Sequence, residues 1–177
     1  MLGPMLFTIL AVLISAQSTI HLPEQKPFDD LSFMVGRWTG EGTGAPGNGV
    51  GEFSFEWDLG RNVLIRRSFA EYPATPERPA SRHDDLMVVF VEAGKLKAEY
   101  FDSEGHVIHY RVMPAADSKS VEFLSEPPAG APRYRLTYTK AGDPNSMKLK
   151  FEIANPDKNN KADVFTPYID ATLRRIR

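Results

Sequence analysis

Alternation of apolar and polar residues along most of the chain is the feature that most limits its possible folds. In the stretch 52–57, for example, Phe53, Phe55 and Trp57 alternate with polar residues. A period of two is the signature of a strand with one buried face. Clusters of Gly, Pro, Asn and Asp separate about ten such segments at hairpin spacing. The pattern favours an antiparallel β-sandwich or β-barrel.

Composition excludes several classes of function. A chain of 177 residues suits one domain. The net charge is −2, and no block of like charges suggests a nucleic-acid partner. Cysteine is absent, which excludes disulfides, thiolate zinc sites and cysteine nucleophiles.

The first residues have the pattern of a targeting segment. Residues 5–16 form an apolar run of the length typical of a signal peptide's core, followed by small residues at Ala16 and Ser18. We therefore expect residues 1–18 to be a signal peptide, residues 28–177 to be the folded domain, and the protein to be secreted or periplasmic. After processing, we expect no stable membrane anchor. The alternatives are an N-terminal helix or strand packed on the domain, and a retained membrane anchor.

A short motif connects the chain to a known group of barrels. Gly36 and Trp38 open the first strand segment, a glycine-rich stretch follows at 40–44, and Arg174 and Arg175 lie on the last segment. This layout resembles the calycin barrels, which include lipocalins, fatty-acid-binding proteins and nitrobindin-like proteins. The resemblance implies a single antiparallel up-and-down β-barrel of about ten strands, after a short helical lead. It also implies that Trp38 closes the floor under an arginine, and strand parity favours Arg175.

The same resemblance implies a container for a small hydrophobic or amphipathic ligand. Nitrobindin-like haem proteins carry a ligating histidine near the last strands, whereas residues 163–177 contain none. We therefore expect neither haem nor another cofactor. A barrel filled by its own side chains, acting as an interaction module, is a competing hypothesis. The oligomeric state stays open.

Strand parity indicates which side chains face the interior. Residues 63, 65, 67 and 69 share one face, which makes Arg67 the expected anchor for an anionic ligand. Arg67 could instead pair with an internal carboxylate such as Asp102, or a one-residue shift could turn Arg66 inward. The full set of expected ligand-binding residues is Arg67, Tyr100, Asp102, His106, Tyr110, Phe55, Trp57 and Tyr138.

No catalytic or metal motif is recognisable, so no catalytic residue is assigned. His106 and His109, three apart on one strand, face opposite sides. The run from His83 to Asp85 has no evident partner cluster, so we expect no metal site. An enzyme on the same barrel, isomerase-like or hydrolase-like, is the alternative function; it would use His106, Asp102 and the pocket tyrosines.

Overall fold

The computed structural model describes residues 26–44 and 48–176, and within them ten strands form a closed antiparallel barrel. A 3₁₀ helix at Lys26–Met34 leads into β1 (Gly36–Gly44), β2 (Gly49–Asp58), β3 (Val63–Tyr72), β4 (Ser81–Glu92), β5 (Lys95–Asp102), β6 (Val107–Pro114), β7 (Ser120–Ser125), β8 (Arg133–Lys140), β9 (Ser146–Ala154) and β10 (Thr166–Ile176). Each strand pairs with its chain neighbours, and β1 pairs with β10. The expected all-β, up-and-down barrel with a short helical lead is confirmed. The expected signal peptide lies outside the described residues.

The 3₁₀ helix closes one end of the barrel, which we call the floor. Its apolar residues Phe28, Leu31 and Met34 are buried. Trp38, at the start of β1, is 1% exposed. The Nε1–H of its indole donates to the carbonyl oxygen of Met34 over 2.7 Å. The helix and the first strand are therefore joined by both apolar burial and a buried hydrogen bond.

Arg175 fixes this floor from the last strand. Its guanidinium carbon lies 4.2 Å from the centroid of the Trp38 ring, a cation–π distance. The guanidinium also donates to the carbonyl oxygens of Val35, at 2.6 Å, and Phe33, at 3.3 Å. Gly36 accommodates it: its φ is +122°, and a Cβ there would lie 2.2 Å from Nη1 of Arg175. The expected contact between Trp38 and Arg175 is confirmed, and the neighbouring Arg174 is exposed.

Above the floor, aromatic rings fill the lower half of the barrel. Phe55 and Tyr138 meet edge to face with their ring centroids 5.4 Å apart, and Phe123 meets Tyr138 in the same manner at 6.0 Å. All three are fully buried. Such offset contacts add to the apolar burial of each ring. This half is therefore a packed core, and any internal space must lie nearer the other end.

The expected orientation of β3 is wrong by one residue. Arg66 is buried and Arg67 is exposed, so the alternative with Arg66 inside is correct. The reason is the length of the connection after β2, which pairs Phe55 with Arg66. Directly opposite residues in an antiparallel pair point to the same face. Since Phe55 faces the core, Arg66 does as well.

Among the described residues, no helix is long and apolar enough to cross a membrane.

The two neighbouring arginines of β10 allow a matched test of the floor. We expect Arg175→Met to lower the free energy of unfolding by about 2–4 kcal/mol, because each hydrogen bond from a charged donor is worth about 1.5–3 kcal/mol. Arg174→Met should change it by no more than about 0.5 kcal/mol. Urea denaturation of the two variants measures both values. Equal losses would contradict the assigned role of Arg175.

Candidate functional site

A cavity of about 600 Å³ occupies the upper half of the barrel. It opens at the end opposite the floor, where the connections after β3, β5, β7 and β9 lie. The wall formed by β8 to β10 is mainly apolar, with Leu136, Leu149, Phe151 and Ile169; the wall formed by β3 to β6 carries the polar residues Arg66, Ser68, His83, Asp85, Tyr100, Asp102 and Tyr110. A second depression, of about 410 Å³, lies outside the barrel against the loop 126–131. The internal cavity is the candidate site because, unlike the outer depression, it combines an apolar wall with buried charges.

A buried ion pair lies at the base of the polar wall. Nη1 of Arg66 is 3.1 Å from Oδ1 of Asp85, and these side chains are only 9% and 6% exposed. Nη2 of Arg66 donates to the hydroxyl of Ser68 over 3.0 Å. Burial opposes the charge of Arg66, but the Asp85 carboxylate and the neighbouring tyrosines together outweigh it, so the pKa of the guanidinium is raised. Arg66 is therefore a permanent cation inside the barrel.

This ion pair leaves hydrogen-bonding capacity unused. Within the part of the chain that the structure describes, Nε of Arg66 and Oδ1 of Asp85 have no hydrogen-bond partner. The 3.1 Å contact between the two side chains is thus electrostatic, without the alignment of a hydrogen bond. Buried polar atoms in this condition are uncommon and costly.

Tyrosine hydroxyls surround the same region. Burial raises the pKa of Tyr100 and of Tyr110, and it raises the pKa of Tyr138 to about 12. All three hydroxyls therefore keep their protons at neutral pH and can donate a hydrogen bond. The hydroxyl of Tyr138 has no partner among the described residues. Together with Arg66, these groups make the polar wall rich in donors.

Histidines and carboxylates meet at the mouth of the cavity. Nε2 of His83 lies 2.9 Å from the hydroxyl of Tyr100, and Nδ1 lies 3.2 Å from Oε1 of Glu104. Nδ1 of His106 lies 2.9 Å from Oδ2 of Asp102. Although burial favours the neutral acid, hydrogen bonds from His106 and Glu104 hold the pKa of Asp102 below its usual range. Asp102 is therefore ionised at neutral pH.

The expected site residues divide into three groups. Tyr100, Asp102, His106 and Tyr110 all line the cavity, His106 at its exposed rim. Phe55 and Tyr138 belong to the packed core beneath it. The other two lie away from the cavity.

Trp57 and Arg67 were expected in the ligand site, but neither lines the cavity. Trp57 lies at the floor end, where its ring meets Phe28 at a centroid distance of 5.4 Å. It is the last inward position of β2 and lies beyond the cavity. Arg67 faces outward because its neighbour Arg66 faces the core and successive residues of a strand point to opposite sides.

Sequence reasoning gave Arg66 only as the alternative to Arg67, and it did not assign His83, Asp85 or Glu104 to the cavity that they line. A signal for two of them was present. His83 and Asp85 are two apart on one strand and therefore share a face, although their immediate neighbour Asp84 is exposed. Glu104 carried no such signal, because it lies in the turn between β5 and β6, where the alternation of a strand does not indicate the direction of a side chain.

Comparison with family models and with curated proteins finds no match for the chain. Among solved structures, the chain is similar to a de novo designed fluorescence-activating β-barrel. The sequence identity is 11%, the TM-score is 0.42, and the match covers 84% of this chain and 98% of the designed one.

The adjacent arginines of β3 provide a second matched pair. Arg66→Met leaves the buried Asp85 unpaired, and we expect it to lower the free energy of unfolding by about 3–5 kcal/mol. Adding Asp85→Asn to that variant removes the stranded charge and should restore much of the loss. Arg67→Met should cost no more than about 0.5 kcal/mol. Chemical denaturation checks the series; an Arg66→Met variant as stable as Arg67→Met would show that the buried pair is misplaced.

Asp102 should contribute to stability in a pH-dependent manner. Its folded pKa is lowered, so its contribution is complete above the unfolded pKa of about 3.9 and is lost as the pH falls through the folded pKa. The free-energy gap between the protein and Asp102→Asn should therefore be largest near neutral pH and shrink in acid. Urea unfolding at neutral and acidic pH measures the gap. A gap that is the same at both would refute this assignment.

Proposed function

We propose that the barrel binds a small amphipathic molecule whose head group is a carboxylate or a similar hydrogen-bond acceptor. The observation that carries the proposal is the guanidinium of Arg66, a permanent cation that lines the cavity and whose contact with Asp85 lacks the alignment of a hydrogen bond. An acceptor from a ligand would satisfy a donor that the described protein groups leave unused. Ligand sites commonly pair one apolar body with a few such oriented polar groups.

The dimensions of the cavity support a ligand of modest size. Its volume of about 600 Å³ lies within the range of roughly 300–1,000 Å³ for small-molecule pockets. The apolar wall, with Leu136, Leu149 and Phe151, would cover the hydrocarbon or aromatic body. The polar wall would receive the head group. This division into two walls favours an amphipathic ligand over a purely apolar one.

The donor inventory favours an acceptor head group over a cationic one. Arg66 has no acceptor atom, and the protonated hydroxyl of Tyr110 is a further donor that lines the cavity. Asp85 already neutralises part of the guanidinium charge, so a carboxylate would bind through hydrogen bonds as well as charge. We propose Arg66 as its main partner, in place of the Arg67 that sequence parity suggested.

Two broader proposals accompany this one. The Trp38–Arg175 contact at the floor supports a relationship to the calycin barrels. The apolar run at residues 5–16 supports export to the periplasm or the exterior. N-terminal sequencing of the exported protein tests the second proposal, because an intact Met1 would contradict it.

The ligand proposal can be tested with naphthalene-2-carboxylate and its neutral amide by isothermal titration calorimetry. In the Arg66→Met/Asp85→Asn double variant, we expect the carboxylate to bind at least about tenfold more weakly, because a charged hydrogen bond is worth about 1.5–3 kcal/mol. The amide should lose much less. Asp85→Asn alone should strengthen carboxylate binding by freeing the guanidinium.

Arg67→Met is the control and should bind both probes as the parent does. Equal losses for carboxylate and amide in the double variant would remove Arg66 from the site. If the parent protein binds neither probe, the proposed ligand class is wrong.

A further inference from the structure

We propose that the mouth of the cavity is a binding site for one divalent transition-metal ion, ligated by His83, Asp102 and Glu104. One ring nitrogen of His83 and one carboxylate oxygen from each acid lie within 4.8 Å of one another. Metal–nitrogen and metal–oxygen bonds are about 2.0–2.2 Å long, so small rotations of the exposed Glu104 side chain bring all three donors onto one ion. The inference is independent of the ligand proposed for the cavity.

The backbone brings the two carboxylates together. Oδ1 of Asp102 accepts hydrogen bonds from the amide of Glu104, at 3.0 Å, and from the amide of His106, at 2.9 Å. Gly105 makes the turn possible with a φ of +88°, and its amide donates to the carbonyl oxygen of Asp102 over 3.1 Å. The turn 102–106 is therefore fixed by hydrogen bonds to Asp102. It places the Glu104 carboxylate next to the His83 side chain of β4.

Outer hydrogen bonds orient the donors as in established metal sites. Nε2 of His83 is held by the Tyr100 hydroxyl at 2.9 Å, while Nδ1 points to Glu104. When Nδ1 binds a metal, the imidazole keeps its proton on Nε2 and donates it to Tyr100. Asp102 is held in a similar way by Nδ1 of His106 at 2.9 Å. Metal-bound histidines and carboxylates are regularly fixed by such partners.

The two carboxylates at the mouth, Asp102 and Glu104, lack a lysine or arginine partner among the described residues, and a metal cation could supply the missing positive charge. Among the described residues, the only basic side chains within 4.0 Å of Asp102 or Glu104 are His83 and His106. Of the other basic side chains that line the cavity, Arg66 pairs with Asp85, Arg82 pairs with Glu71 and Asp84, and Arg78 stacks on the ring of Tyr72.

Asp102 is the more buried of these two carboxylates, since its side chain is only 4% exposed, and its charge is met by two backbone amides and by His106. None of these partners carries a permanent positive charge. A bound divalent ion would supply one.

The donor set indicates the class of metal. One imidazole nitrogen with two carboxylate oxygens suits Zn²⁺ or Mn²⁺ better than Ca²⁺ or Mg²⁺, which prefer oxygen ligands alone. Three protein donors also leave at least one coordination position for water or a ligand atom. Because all three donors line the cavity, that position faces its interior.

The test is equilibrium dialysis of the chelator-treated protein against Zn²⁺, with the bound metal quantified. We expect one equivalent per chain and a rise in melting temperature with metal, since an ion that binds only the folded state stabilises it. His83→Gln and Glu104→Gln should each weaken binding by at least about tenfold. Glu104 is 60% exposed, so its variant should fold as the parent does, and its melting curve without metal verifies this.

The chain offers a matched control on its outer surface. His109 and Glu99 form an exposed histidine–carboxylate pair away from the cavity. His109→Gln should leave Zn²⁺ binding unchanged. The proposal is overturned if the parent takes up no stoichiometric metal, if either cavity variant binds as the parent does, or if His109→Gln loses binding equally. Titrating the carboxylate probe in the presence of chelator tests the ligand proposal separately.

Discussion

The closure of the floor by Arg175 and Trp38 is the constraint on which the other features depend. A barrel of ten strands has an interior that side chains must fill or leave open. Here the 3₁₀ helix, the indole and the guanidinium seal one end, and the aromatic core fills the space above them. Solvent and ligands can therefore enter from the opposite end, where the ionisable residues of the candidate site lie.

The interior shows two different solutions to the burial of charge. Arg66 and Asp85 compensate each other deep in the barrel, but their geometry leaves hydrogen bonds unmade. At the mouth, Asp102 is satisfied by backbone amides and a histidine, without a permanent cation. The first arrangement suits a ligand that brings an acceptor, and the second suits one that brings positive charge. The two proposals on ligand and metal follow from this difference.

Much of the fold follows from the sequence because the alternation of residues reports directly on strands. The pairing of Trp38 with Arg175 could also be anticipated, since parity on β10 distinguishes Arg175 from Arg174. Parity failed on β3, where Val63, Leu64 and Ile65 are apolar on both faces and give no phase. Only the length of the connection after β2 decides that Arg66 faces inward. The mouth cluster depends on a turn conformation and on contacts between strands, neither of which is encoded by local periodicity.

The order in which the strands are connected has a consequence for how the chain folds. All strand pairs but one are hairpins between neighbours in the chain, and the exception joins β1 to β10. That junction includes the contact between Arg175 and Val35, which are 140 residues apart. We expect the local hairpins to form before this remote contact, because closing a long loop costs more entropy. Until the last strand arrives, β1 and β10 are open edges able to pair with another chain. When Arg175 contacts Trp38 and Val35, β10 therefore pairs with β1, and neither strand edge stays available for pairing with another chain.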